Sequence, residues 1–350
     1  MSAVTPVVAG VGIAHPAPVP QDEVWHGFFA QHYTGVQRAF AQRIFAHSGV
    51  VTRHGVVNPM LEDVSRWTTG ARMHRYLTEA LPLGRTAARA ALDAAGLDPG
   101  DVAYFVVCSC TGYVSPGLDI LLARDLGLPA DARRLFVGHM GCYAALPGLG
   151  AAADFVAVHG RPALLLCVEL PSLHVQPPTA DPQQIIAHSL FSDAAAAVVV
   201  LPGVRGYAVR GVAALTDTTA ADQMTWDVTD LGFRMGLSPR VPDVLAVHVA
   251  EFVKDLLSRH GLVPSDVDGW AVHPGGPKIL DVVARELDLP AAALDTSRGV
   301  LADHGNCSSP TVLLILDRLQ RLPAAPRHVL SLAFGPGLTL YATLLGPAQG

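Results

Sequence analysis

Short runs of almost purely apolar residues recur along this chain, each followed by a turn and a segment with helical spacing. YFVVCS (104–109), ALLLCVE (163–169) and AAAAVVVL (194–201) are three of them. A strand buried on both faces reads as a continuous apolar run, whereas a half-exposed strand alternates. Residues 6–13 read as a first strand, ended by a proline-rich loop. Residues 21–48 read as helical, 49–70 as irregular, and 83–95 as a helix closed by Gly96. Another helix is read at 118–126. Near residue 203 the pattern restarts, with helices at 242–260, 277–287 and 310–321, a strand at 269–273, and two strands within 329–345. Strands alternating with helices predict an α/β fold whose mixed sheets are covered on both faces. No short-period repeat or low-complexity linker separates the two halves, drawn here as 1–204 and 205–350, so they form one body.

With 350 residues, half of them hydrophobic, the chain can bury a large core. Its alanine and glycine richness predicts helices packed closely on sheets. The net charge of −6 gives no basic field for nucleic acid or an anionic membrane. Five cysteines, an odd count without a CxxC pair, suggest neither a disulfide framework nor a zinc site. No basic leader and no apolar stretch of about 18 residues is present, so no membrane span is predicted, and a reducing cytoplasm fits best.

Three strand ends carry unusual polar residues. Cys142 follows the run Leu135-Phe136-Val137, which reads as a buried strand, and a Gly-His-Met-Gly turn, at the mouth of a small-residue helix where free N–H groups favour a thiolate. Pro147, Gly148 and Gly150 predict that this helix starts late or kinks. His273 ends a strand in VHPGGPKIL, and Asn306 precedes a helix in HGNCSSPTVL. A thiolate beside an imidazolium is an activated nucleophile, and a histidine N–H with an asparagine amide forms a two-donor oxyanion site. Acyl transfer and enolate formation both remain open on this pattern.

The segments CTGYVSPGLD (110–119), GHMGCYAA (138–145), LFSDAAAA (190–197), VHPGGPKIL (272–280), HGNCSSPTVLLILD (304–317) and AFGPGLTL (333–340) resemble the chalcone synthase-like type III polyketide synthases of the thiolase superfamily. They occur in that family's order over nearly the whole chain. The resemblance implies a homodimer of thiolase-like layered αβαβα subunits with two pseudo-related halves. It implies that Cys142 takes an acyl starter from coenzyme A, and that His273 and Asn306 stabilise the enolate made by decarboxylating a malonyl-CoA-type extender. Repeated condensation and cyclisation follow, with no metal and no cofactor beyond the coenzyme A thioesters. Phe191 and Phe233 match gate phenylalanines, Arg43 a contact to coenzyme A phosphates, Gly275 and Gly276 the approach of the pantetheine arm, and Cys110 a cavity position. Ser192 departs from a family glycine, and Ser115 from a methionine that crosses the dimer interface. Pyrone or resorcinol products from aliphatic starters are favoured, while Cys110 keeps a malonyl-primed aromatic such as tetrahydroxynaphthalene in play.

Other readings compete. A ketoacyl-carrier-protein synthase III-like enzyme uses the same three residues but stops after one condensation. A papain-like hydrolase also uses Cys, His and Asn, but its usual cysteine neighbourhood is absent. An inactive scaffold subunit is the non-enzymatic alternative. Cys167, Cys307, His139 and His304 read as structural.

Overall fold

The computed structural model describes residues 4–203 and 206–348, so the boundary drawn between 204 and 205 lies outside the described residues. The strands of the first half are β1 (Pro6–Ala14), β2 (Pro18–Pro20), β3 (Thr52–His54), β4 (Tyr104–Cys108), β5 (Arg133–Val137), β6 (Ala163–Glu169) and β7 (Ala194–Pro202). Those of the second are β8 (Tyr207–Thr216), β9 (Met224–Thr229), β10 (Gly232–Leu237), β11 (Gly269–Val272), β12 (Val329–Gly335) and β13 (Thr339–Pro347). The main sheet runs β11-β12-β13-β8-β1-β7-β6-β4-β5. The halves segregate within it and meet only where β1 pairs β8, at Val7↔Ala208 and Val8↔Tyr207. Each half repeats one pattern, parallel at its outer edge (β5, β4 and β6; β11 and β12) and antiparallel toward the junction.

The helices are α1 (Gln21–Gly27), α2 (Gly35–Ala46), α3 (Thr69–Ala95), α4 (Leu118–Leu126), α5 (Ala145–His159), α6 (Pro182–Leu190), α7 (Val241–Ser258), α8 (Pro277–Glu286), α9 (Asp295–His304) and α10 (Pro310–Gln320). The core divides by sheet face. One cluster joins α5 and α10 to Val106, Leu165 and Val198 on one side and to Val329 and Ala333 on the other. A second packs α3 and α4 against the opposite face of the first half, through Phe105, Leu164 and Val199. A third packs α7 and α8 against Trp270, Leu330 and Leu340. The order is therefore helix, sheet, helix, sheet, helix, the layering the resemblance implies.

Close packing follows from small residues. A Cβ at Gly12 would stand 2.2 Å from the Ala87 carbonyl oxygen and 2.3 Å from the Ala91 nitrogen, so α3 lies directly on the backbone of β1. This contact explains a misreading. The helix ending at Gly96 begins at Thr69, not near residue 83, with Pro82 inside it. Interior proline costs about 3 kcal/mol in an isolated helix. Here burial of Tyr76, Ala80, Ala87, Ala88 and Ala91 against the sheet offsets it.

Residues 21–48 are not one helix. They form α1, a 3-10 turn at Phe29–His32 and α2, because Trp25, Phe28, Phe29, Tyr33 and Phe45 fold back into one cluster. The stretch read as irregular contains β3, which pairs with β2. The helix after Cys142 does start late, at Ala145, and Pro147 sits in its first turn, where no N–H is needed. Gly141–His159 is long and apolar enough to cross a membrane, but 61% of it is buried as the central layer.

Candidate active site

Cys142 sits in the 3-10 turn Gly141–Tyr143 that joins β5 to α5. Gly141 adopts φ +72, a conformation that favours glycine, and a Cβ there would press to 3.1 Å from Pro336 Cδ. The close of β12 meets the same turn, since a Cβ at Gly335 would lie 2.6 Å from the Tyr143 ring. Burial pushes the Cys142 thiol up to about 12, with the Ser308 hydroxyl working against the rise and the Glu169 carboxylate adding to it. The Cys142 side chain is therefore a neutral thiol, because desolvation outweighs the helix mouth.

His273 follows β11 and is held by its backbone, whose N–H donates to the Leu332 carbonyl at 2.8 Å. Its ring is 1% exposed, and neither Nδ1 nor Nε2 has a hydrogen-bond partner. Burial lowers its pKa to about 3, so the imidazole is neutral. Two bare ring nitrogens in one buried side chain are unusual, because buried polar atoms are nearly always paired.

Asn306 is fixed from both sides of its peptide. Its N–H donates to the Leu190 carbonyl at 2.8 Å, and its carbonyl accepts from Ser192 N–H at 2.9 Å, bridging it to the Phe191 strand. Gly305, at φ +69, brings the chain so close to Ser192 that a Cβ would stand 2.9 Å from the Ser192 Cβ. Ser192, the departure from the family glycine, is used: its hydroxyl accepts from His54 N–H at 2.7 Å and donates to the His54 carbonyl at 3.1 Å. Beyond Asn306, Ser308 adopts φ +56, and its N–H donates to Asn306 Oδ1 at 2.8 Å.

Behind these residues lies a carboxylate that the sequence reading passed over. Glu169 ends β6, is fully buried, and accepts from the Cys110 N–H, the Thr111 hydroxyl and the Ser309 hydroxyl. Burial raises its pKa to about 7, against the pull of those hydrogen bonds, Thr111 first. Its signal was present as the one acidic residue closing an apolar run. Ser308 was also missed; its hydroxyl lies 3.9 Å from Cys110 Sγ and is the hydroxyl that offsets the Cys142 rise. Burial, then the charge of Glu169, holds the Cys110 thiol well above its ordinary value.

Phe191 and Phe233 line a common cavity of about 60 Å³ with Trp226, His174 and Met235. Phe233 stacks on His174 at 4.5 Å and meets Trp226 edge-on at 5.9 Å, and Trp226 lies 6.5 Å from Phe191. The Trp226 indole N–H donates to the Cys110 carbonyl at 2.8 Å, tying this cavity to the Cys110 turn. Cys142, His273 and Asn306 are not part of its lining. Arg43 is exposed on α2, with no carboxylate partner among the described residues. The turn after α2 reaches the start of α8, since a Cβ at Gly49 would meet Pro277 at 3.0 Å. Gly275 and Gly276 precede Pro277, and Gly276 adopts φ +152. Cys167 and Cys307 are fully buried, and all five thiols are unpaired.

Comparison with known proteins agrees with this architecture. Residues 3–203 match the family described as chalcone and stilbene synthases, N-terminal domain, and residues 217–347 match the corresponding C-terminal domain. The chain is 37% identical over 320 residues to a 1,3,6,8-tetrahydroxynaphthalene synthase of Streptomyces peucetius subsp. caesius, covering 89% of this chain and 84% of that protein. It is 32% identical over 326 residues to the alpha-pyrone synthesis polyketide synthase-like Pks18 of Mycobacterium tuberculosis, covering 88% and 82%. The crystal structure of PKS-I from the brown alga Ectocarpus siliculosus superposes with a TM-score of 0.92 at 29% identity, over 99% of both chains.

Proposed function

Since the chain belongs to the chalcone and stilbene synthase family of type III polyketide synthases, we propose that Cys142, His273 and Asn306 are its catalytic set. The enzyme is an acyltransferase that condenses acyl units iteratively and cyclises the product to a pyrone, resorcinol or related polyphenol. The observation that carries the site assignment is the pair of buried, unpartnered His273 nitrogens. The Asn306 amide, turned by Ser308 so that its NH₂ end is free, supports it.

In loading, the Cys142 sulfur attacks the thioester carbonyl of an acyl-CoA starter. His273 takes the thiol proton and returns it to the departing coenzyme A sulfur. Burial keeps His273 neutral, so its imidazole is free to accept that proton. In elongation, the carboxylate carbon of malonyl-CoA leaves as CO₂, and its bonding pair becomes an enolate on the remaining thioester. A neutral imidazole N–H and the Asn306 NH₂ stabilise that oxygen without protonating the carbanion. The enolate carbon attacks the acyl-Cys142 carbonyl, and the Cys142 thiolate leaves. Phe191 and Phe233 flank the cavity in which the chain grows, with Cys110 at its Trp226 side. The predominantly apolar lining, including Val24, Phe29 and Val57, supports an aliphatic starter.

Coenzyme A is read near Arg43 and near Gly275 and Gly276, where the turn after α2 approaches the start of α8. No further cofactor enters these steps. The halves 1–204 and 205–350 are read as two thiolase-like units, the first supplying Cys142 and the second His273 and Asn306. Five unpaired thiols, one of them the nucleophile, support a reducing cytoplasmic setting. β5 ends the main sheet with one backbone edge unpaired, and Leu135 and Phe136 are each 39% exposed. An apolar free edge is a template for another strand, which supports a homodimer joined there.

The test is an acyl-CoA panel with malonyl-CoA, read by product mass. Products carrying several condensed units, lost in Cys142→Ala, are the expected result. Single-condensation products alone would overturn the iterative reading.

A further inference from the structure

Three imidazoles from distant parts of the chain, His15, His54 and His304, meet behind the Asn306 turn. His15 stacks on His54 at 4.4 Å and on His304 at 4.3 Å, the latter pair within 7° of parallel. Such a cluster suggests a metal site, but the ring planes argue otherwise. An ion lies close to the plane of each imidazole that binds it, and parallel stacked rings share no such point. Arg318 also faces the cluster with a fixed positive charge, Nη2 lying 2.9 Å from His304 Nε2.

The hydrogen bonds have only one consistent direction. Arginine can only donate, so His304 Nε2 accepts from Arg318. His304 Nδ1 therefore carries the proton and donates to His54 Nε2 at 3.1 Å. His54 Nδ1 in turn donates to the Pro16 carbonyl at 2.9 Å. Asp303 anchors the start of the chain, 2.8 Å from Arg318. Both imidazoles are thereby neutral and held in one tautomer.

The chain closes a ring of contacts around the site. His304 is two residues before Asn306. The Asn306 carbonyl accepts from Ser192, whose hydroxyl is bracketed by the His54 backbone, and Asp193 N–H donates to the His54 carbonyl at 2.9 Å. The His54–His304 hydrogen bond is the side-chain link that completes this ring. We propose that His54 and His304 are positioning residues for Asn306, and that their one-way hydrogen-bond chain from Arg318 to the Pro16 carbonyl fixes the turn that aims its amide. The inference rests on reading Asn306 as an enolate donor. It also accounts for Ser192, whose hydroxyl does what a glycine could not.

The test compares malonyl-CoA decarboxylation by Asn306→Ala, His304→Phe and His304→Gln. His304→Phe keeps an aromatic ring for stacking on His15 but removes both nitrogens. Its kcat is expected to fall about tenfold to a hundredfold, with KM within about twofold, since misaiming a donor costs rate more than binding. Glutamine supplies one acceptor and one donor at similar spacing and is expected to recover most of the loss. Normal alkylation of Cys142 by iodoacetamide in each variant controls for an intact pocket. If Asn306→Ala is crippled while His304→Phe decarboxylates like wild type, the positioning role is wrong and the site reading stands. If Asn306→Ala itself decarboxylates normally, the site reading fails first. Should His304→Phe not fold, ¹⁵N-histidine spectra of the wild-type protein decide: His304 protonated on Nδ1 and bare on Nε2 supports the proposal, and the opposite tautomer overturns it. Stoichiometric Zn²⁺ retained through gel filtration would likewise overturn it in favour of a metal site.

Discussion

The backbone N–H of Ser308 donates to Oδ1 of Asn306 at 2.8 Å, and this one hydrogen bond decides which end of the Asn306 amide is left free. A backbone N–H can only donate, so the oxygen is occupied and the NH₂ end is left free, as the proposed oxyanion role requires. Asn306→Asp offers no donor and adds a negative charge. Malonyl-CoA decarboxylation should fall at least about a hundredfold, the usual effect of losing an oxyanion donor. Decarboxylation by this variant within about threefold of wild type would remove Asn306 from the mechanism.

Cys142 makes its own pH statement. A thiol pushed to about 12 has a thiolate fraction that rises tenfold per pH unit throughout the neutral range. Alkylation of Cys142, followed by peptide mass, should therefore climb steadily from about pH 6 to about pH 9. A plateau in that range would mean that the thiolate is already stabilised in the free enzyme.

Buried histidines set the acid limit of the fold. His174, His188 and His273 are lowered from 6.5 to about 4, about 3 and about 3, each by burial first. Below pH 6.5 the unfolded chain binds protons that these folded imidazoles refuse, so their contribution is complete above 6.5 and is lost as pH falls toward 4. Glu169 and Asp193, raised to about 7 and about 6, act oppositely, their contribution disappearing as pH rises toward those values. His15 and His304, also lowered, tip the balance toward acid lability. Urea midpoints should peak near about pH 6.5 and decline below it, each net proton contributing about 1.4 kcal/mol per pH unit. His188→Gln should shallow the decline; stability that rises steadily down to pH 5 would contradict the assignment.

The contact of α3 on β1 leaves no room for a methyl group. Because a Cβ at Gly12 meets backbone atoms at 2.2 and 2.3 Å, Gly12→Ala should destabilise by about 3 kcal/mol or more, at the upper end of overpacking effects. A urea midpoint matching wild type would show that the helix shifts freely.

Phe136→Glu places a charge on the free edge of β5. Sedimentation should show wild-type dimers and variant monomers. A variant dimer of unchanged affinity would locate the interface elsewhere.

Much of this was legible in the chain. Cys142, His273 and Asn306 stand out because each is a polar residue at a turn that closes or opens a regular element. Sheets covered on both faces follow from apolar runs too continuous to be half-exposed strands, whereas the five layers came only with the resemblance. Of the equally apolar Leu135-Phe136-Val137, the first two are instead exposed, because β5 is the edge strand. Glu169 showed only as an acidic residue closing an apolar run, and its partners were not legible, because they lie far away in sequence; Ser309 reaches it across 140 residues. Pro82 hid the first half of α3 because local propensity carries no knowledge of the sheet beneath. The aromatic cluster around Trp25 likewise broke a helix that periodicity alone would have continued.

Phe233 and Trp226 belong to neither half of the main sheet. They sit on β9 and β10, a separate two-stranded ribbon registered through Phe233↔Val228 and Met235↔Trp226. The ribbon is held by Thr69, by Gln176 and Gln184, which donate to its carbonyls, and by the indole bond to Cys110. Three side chains lining the cavity, Trp226, Phe233 and Met235, are thus carried by a different part of the molecule from Cys142, His273 and Asn306. Substitutions within 224–237 can reshape one wall of the cavity without altering the elements that carry Cys142, His273 and Asn306.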